Sequence, residues 1–148
     1  RPVAPADLIR IAFVCVENAN RSQMAEAFGH LANEGDLEIH SAGSKGGGHV
    51  NPKAVAAMGR LGYDLSSHRS KPATDLAGVV FDAVVTMGCG DACPFLQARH
   101  RLDWPIEDPK HMEPAAFDRV RDEIGQRVAG LVKMLRNERD SKADSDAS

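Results

Sequence analysis

One stretch near the amino terminus limits the folds open to this chain. Leu8 to Val16 reads LIRIAFVCV and is apolar at every position but Arg10. A strand with one face in water alternates apolar and polar residues. An unbroken run of Ile, Phe and Val suits a strand buried on both faces. Such strands belong to parallel sheets covered by helices. The run is far short of the ~18 apolar residues that signal a membrane span. Glu17 to Asn20 is polar and turn-forming, and Ser22 to Ala32 places Met24, Ala27, Phe28 and Leu31 at helical spacing. The opening unit therefore reads strand, short loop, helix.

The rest of the chain repeats that alternation. Leu37 to Ala42 is a second short strand, ended by Gly43, and Ser44 to His49 (SKGGGH) is a glycine-rich loop. Pro52 opens a helix running to about Leu61, with Val55, Met58 and Leu61 on one face and Gly62 as the stop. Val79 to Met87 reads as a third buried strand, Gly88 to Phe95 as a turn-rich segment, and Leu102 to Ile106 as a short fourth strand. A last helix starts near Pro114 and reaches about Arg136, striped by Phe117, Val120, Ile124, Val128, Leu131 and Leu135. Alternating strands and helices predict an α/β domain whose parallel sheet is covered on both faces. A length of 148 residues fits one domain, placed at 1–136, with 137–148 expected to be a polar, frayed tail. In such sheets ligands bind beyond the carboxyl ends of the strands, where strand order switches. The loops after the first and third strands lie at that edge, so Cys15, Cys89 and Cys93 are expected to be neighbours.

Composition narrows the function. A net charge of -3 argues against nucleic acid as a partner, and the lack of a bilayer-length run argues against a membrane. Three cysteines are too few and too odd for a disulfide scaffold, so a reducing, cytoplasmic setting is expected. Zinc wants four ligands. Cys89 and Cys93 supply two, and nothing in the sequence brings His68 or His100 to them, so no metal is required.

The segment Cys15 to Ser22, CVENANRS, carries the chemistry. A short loop between a strand end and a helix start turns its backbone N–H groups inward and cradles a tetrahedral oxyanion. Glu17, Asn18, Ala19, Asn20, Arg21 and Ser22 would form that cradle. The helix N-terminus adds positive potential, and the planar fork of Arg21 can grip two oxygens. At the floor, the same field favours the Cys15 thiolate as a nucleophile, and Ser22 can hydrogen-bond it. Asn18 suits a left-handed backbone that shapes the loop. A departing oxide or phenoxide needs a proton, which a carboxyl near the thiolate can supply.

The chain resembles the low-molecular-weight protein tyrosine phosphatase superfamily, and within it the thiol-dependent arsenate reductases. The likeness runs through the loop, RSQMAEAF (Arg21 to Phe28), SAG (Ser41 to Gly43) and VNPKA (Val50 to Ala54). It continues through VVTMGCGDACP (Val84 to Pro94), DWPIEDP (Asp103 to Pro109) and FDRVRDEI (Phe117 to Ile124). It implies a flavodoxin-like three-layer sandwich with a four-stranded parallel sheet and helices on both faces. It implies attack by Cys15 on the bound oxyanion, with Asp108 matching the general acid and Asp103 the competing carboxyl, which reads more as a structural residue.

Two enzyme readings share Cys15, Arg21 and Asp108. The phosphatases of this superfamily resemble Asp-Pro followed by aromatic residues that wall a phenol slot. Here Lys110 and His111 follow Asp108-Pro109, and the chain has one Tyr and one Trp. Without aromatic stacking, phosphotyrosine or another phosphomonoester is the alternative substrate rather than the first. Arsenate reduction needs more thiols, and the resemblance supplies them: Cys89 would resolve the Cys15 adduct and Cys93 would resolve Cys89. Thioredoxin would then reduce the Cys89–Cys93 disulfide. Only Gly90, Asp91 and Ala92 separate the pair, and relatives with a similar segment use an external low-molecular-weight thiol with a glutaredoxin-like partner, so the reductant stays open. A third class is a thiol-based arsenic or redox sensor, against which Asp108 argues, because a sensor needs no general acid. Phosphate and sulfate would compete with arsenate. No organic cofactor is expected. In some relatives, positions matching Asn18, Glu26 and Ser41 surround a potassium ion that tunes the loop.

Overall fold

The structure, a computed structural model, describes residues 8–89, 93 and 95–147, with side chains through residue 142. Its elements are β1 (Ile9–Cys15), α1 (Arg21–Ala32), β2 (Leu37–Gly43), α2 (Pro52–Gly59), a 3-10 helix (Ala73–Leu76), β3 (Val80–Thr86), β4 (Gln97–Asp103) and α3 (Pro114–Ala147). The four strands form one parallel sheet in the order β2-β1-β3-β4. This is the expected flavodoxin-like α/β arrangement.

β1 is central, with Ile11 between Ile39 and Ala83. That placement explains its unbroken apolar sequence. Ile9, Ile11 and Phe13 join Met24 and Ala27 of α1, Ala54 and Met58 of α2, and the α3 stripe in one core. Ala12 and Val14 face the other way, against Ala73 and Leu76 of the 3-10 helix and Phe81, Val84, Cys89 and Leu96. Phe13, Phe81 and Phe117 are fully buried, each contributing about 1.5–3 kcal/mol relative to exposure. The order reverses between β1 and β3. The loops leaving those two strands therefore open a crevice at the carboxyl edge of the sheet.

Two elements differ from the sequence expectation. β4 is Gln97–Asp103, not Leu102–Ile106. It is an edge strand of alternating exposed and half-buried residues, QARHRLD, and needs no apolar run. Trp104 and Ile106, which suggested a strand, are instead buried just beyond it. The final helix also continues through Ala147 rather than fraying after Arg136. Its extension has partners. Glu138 bonds His100 of β4 at 2.9 Å, and Arg139 Nη1 reaches Asp36 Oδ2 at 2.9 Å. Arg136 grips the same buried carboxylate through Nε and Nη2 at 2.8 and 2.9 Å, and donates to Ala32 O at the end of α1.

Candidate active site

The site is assembled at the crevice. Cys15 is the last residue of β1, and its thiol is free and buried. The loop of residues 16–20 then leads straight into α1 at Arg21. Among the described residues, the backbone N–H groups of 17–22 donate to no protein acceptor. Unpaired amide donors at a helix N-terminus are the groups that an oxyanion can engage.

Asn18 holds the loop's shape from inside. Its φ is +53°, the left-handed region, and it is fully buried. Its side chain is oriented by chemistry rather than by assumption. The Lys71 backbone N–H can only donate, so the amide atom 2.8 Å from it is the Asn18 carbonyl oxygen. The other amide atom is therefore Nδ2, which donates to Ser22 Oγ at 2.7 Å. That leaves the Ser22 hydroxyl hydrogen for Cys15 Sγ, 2.8 Å away. Gln23 closes the network, its Nε2 donating to Asn18 O and Oδ1 and to Arg69 O.

The loop also rests on its neighbours. Ser70 Oγ donates to Glu17 O at 2.7 Å, and Ser44 N and Lys45 N donate to Cys15 O and Val16 O. Gly43 lies so close beneath that a Cβ there would strike Val16 O, Asn18 N and Glu17 C. This is the structural reason for the glycine ending SAG.

Arg21 is buried, and its Nη1 donates to Ile106 O at 2.9 Å. Its Nη2 lies 3.7 Å from Asp108 Oδ2. Among the described residues, Ile106 O and Asp108 are its polar partners. Asp108 is about half exposed, and its other oxygen accepts from Lys110 N. Lys110 Nζ reaches Glu17 at 3.2 Å across the mouth of the crevice. One pocket is lined by Cys15, Val16, Glu17, Ala19, Asn20, Arg21, Gly88 and Asp108, with no aromatic residue among them. Asp103 is elsewhere, accepting from Thr86 Oγ1 at 2.9 Å. The His49 side chain is exposed and does not line the pocket.

Gly88 carries the loop after β3 to this pocket. An added Cβ would meet the Arg21 guanidinium. Cys89 follows it and is disulfide-bonded to Cys93, with Cα atoms 5.0 Å apart. Cys89 is buried and Cys93 half-buried. The histidines weighed as zinc partners lie elsewhere: His100 against Glu138, and His68 against Tyr63, Gln23 and Glu26.

Beneath the loop, Glu26, Ser41 and Lys71 form a charged cluster that sequence reasoning had only in part. Ser41 Oγ donates to Glu26 Oε1 at 2.5 Å, and Lys71 Nζ lies 3.3 Å from each of those two oxygens. His30 and His68 approach Glu26 Oε2 at 3.0 and 3.3 Å. Burial raises the Glu26 pKa, but the hydrogen bonds from His30 and Ser41 and the Lys71 charge outweigh it and lower the carboxyl to about 2. Burial lowers the His68 ring below the usual imidazole value, against the pull of Glu26. Lys71 sits in a stretch of loop with no periodicity, so no sequence signal pointed to it.

Comparison with known proteins agrees with this geometry. The family model for low molecular weight phosphotyrosine protein phosphatase matches residues 10–141. A relative named arsenate reductase 1 from Staphylococcus haemolyticus is 41% identical over 129 residues, 84% of this chain and 96% of the relative. A solved arsenate reductase in an oxidised state superposes with a TM-score of 0.77 at 31% identity, covering 86% of this chain and 99% of the other. A thioredoxin-dependent arsenate reductase from Corynebacterium glutamicum does so with a TM-score of 0.74 at 32% identity, covering 91% of this chain and 65% of the other. The chain belongs to the low molecular weight phosphotyrosine protein phosphatase family, in its arsenate reductase branch.

Proposed function

We propose that this protein reduces arsenate to arsenite with its own three cysteines. The observation that carries the proposal is the state of those thiols. Cys15 is free and lines the pocket, while Cys89, the residue after the pocket-lining Gly88, is joined to Cys93. A relay that regenerates its nucleophile and moves the oxidation outward would end with this pairing.

The steps balance as follows. Arsenate enters the cradle of amides 17–22 and is gripped by Arg21. The Cys15 thiolate forms an S–As bond, and an arsenate oxygen leaves with a proton from Asp108. Arsenic is still pentavalent. The Cys89 thiolate then attacks Cys15 Sγ, the S–As bond breaks, and its electron pair goes to arsenic, which leaves as trivalent arsenite. The Cys15–Cys89 disulfide now holds the two-electron oxidation. The Cys93 thiolate attacks Cys89 Sγ and releases Cys15 as a thiolate. An external dithiol reduces Cys89–Cys93, entering at the more exposed Cys93. We assign that role to thioredoxin, since an internal disulfide is the substrate a dithiol protein takes.

Asn20 supports an anionic ligand. Its Oδ1 is buried without a partner among the described residues, in the wall of the same pocket. Rotating the amide would turn two donors toward a bound oxyanion. Among the described residues, no aromatic side chain lines the pocket, which argues against a phosphotyrosine substrate. Cytoplasmic placement fits a relay that needs a reducing partner, and among the described residues no helix is long and apolar enough to cross a membrane.

The test compares turnover. Arsenite formation should be sustained by thioredoxin with its reductase and NADPH, and should exceed hydrolysis of p-nitrophenyl phosphate. Arsenite formation only with glutathione and glutaredoxin would overturn the choice of partner. Phosphate ester hydrolysis without arsenite formation would overturn the reductase itself.

A further inference from the structure

The potassium site that the family resemblance suggested does not fit the residues present. Asn18 Oδ1 is already occupied by Lys71 N and Gln23 Nε2. The other two oxygens, Glu26 Oε1 and Ser41 Oγ, both face the ammonium of Lys71. We propose that Lys71 is a built-in cation: its ammonium fills an oxygen cage beneath the oxyanion loop and replaces a free monovalent ion.

The donor arithmetic supports this. An ammonium has three N–H groups. Lys71 Nζ finds three oxygens, Arg69 O at 3.0 Å and Glu26 Oε1 and Ser41 Oγ at 3.3 Å each. Ser41 gives its own hydrogen to Glu26, so its oxygen is free to accept. The cage is a carboxylate, a hydroxyl and a backbone carbonyl, the oxygen types that bind a hard cation. One ammonium balances the buried Glu26 charge, and a second cation beside it would be repelled.

The same residue ties the cage to the loop. Its N–H holds Asn18 Oδ1, and its C=O accepts from Gly43 N. Arg69 O accepts from Gln23 and Ser70 holds Glu17 O. The ammonium thus pins the segment 69–71 to α1 and β2, and that segment holds the two loop residues Glu17 and Asn18. Lys71 is a positioning residue, not a catalytic one. The inference rests on the loop being an oxyanion cradle and not on arsenate being its substrate.

The test uses inorganic phosphate as the probe, with phosphate affinity and thermal midpoint as readouts. Neither depends on arsenate turnover, so failure of the reductase reading leaves the result interpretable. Wild type, Lys71→Ala and Lys71→Met are compared in potassium chloride and in choline chloride at matched ionic strength. Wild type should bind phosphate equally in both. Lys71→Ala should lose about fivefold or more in choline, the usual floor for coupled sites, and regain it in potassium. Lys71→Met, whose apolar side chain fills the cage, should be weak in both. A wild type that gains fivefold from potassium would overturn the proposal, even if Lys71→Ala failed to fold. So would a Lys71→Ala protein that matched wild type in choline, or recovery of Lys71→Met by potassium.

Discussion

Gly88→Ala should damage both stability and binding, and the two effects have separable causes. Gly88 has a φ of +81°, and a Cβ there would run into the Arg21 guanidinium. The first part is backbone strain, about 1–2 kcal/mol for an alanine held in the left-handed region. In a domain of this size that lowers the thermal midpoint by roughly 2–8 °C. The second part is the collision. Its target is the far end of a long side chain, which can swing aside at little cost in stability. It cannot do so at little cost in function, because Arg21 is aimed by Ile106 O and stands opposite Asp108. Losing one hydrogen bond to a charged ligand costs about 1.5–3 kcal/mol, or roughly 10- to 100-fold in affinity. Gly78→Ala is the internal control, since Gly78 has the same φ of +81° and nothing within 4 Å of an added Cβ. Differential scanning calorimetry and phosphate titration of the two variants should show similar falls in midpoint and a loss of affinity confined to Gly88→Ala. Equal phosphate affinity in both variants would refute the claim that Gly88 leaves the room in which Arg21 is positioned.

Three further outcomes follow from the geometry. Ser22→Ala removes the side-chain hydrogen bond between Ser22 and Cys15 and should slow iodoacetamide alkylation of that thiol in the disulfide form by about tenfold at neutral pH, measured by mass spectrometry. Asp108→Asn should retain phosphate binding while arsenite formation falls by about 10²–10⁴, the usual worth of a positioned acid, in single-turnover assays. Asp36 tests the fold: its hydrogen bond to Arg136, helped by Arg139 and opposed by burial, holds its carboxyl well below the usual range. A depressed carboxyl stabilises the folded state above its unfolded pKa and loses that contribution as pH falls through the acid range. Asp36→Asn should therefore cost about 2–3 kcal/mol at neutral pH, with the gap to wild type closing below about pH 4, by denaturant unfolding.

How much of this was legible in the sequence depended on what each segment buries. β1 was readable because both its faces are covered, and α3 because its stripe packs on one side of the sheet. The Cys15–Ser22 segment was readable as a strand–helix turn because an apolar strand precedes it and a helical stripe follows, and the turn lines a pocket with Arg21. β4 was not, because an edge strand is held by backbone pairing to β3 while its side chains stay largely in water. The far turns of α3 were not, because Glu138 and Arg139 read as a solvated tail until His100 and Asp36 are placed opposite them. Lys71 was invisible for a related reason: a charge in an aperiodic loop declares nothing until Glu26, Ser41 and Arg69 O surround it. Gly43 and Gly88 read as turn glycines, whereas the structure uses them for close approach to the loop and to Arg21.

The central claim is that this chain resolves its own arsenic adduct, and a thiol count tests it most directly. Fully reduced protein is mixed with arsenate without any other reductant, and free thiols, arsenite and disulfide-linked peptides are measured together. The account predicts loss of two of the three thiols, one arsenite released per chain, and a Cys89–Cys93 linkage with Cys15 free. Survival of all three thiols with no arsenite would contradict it.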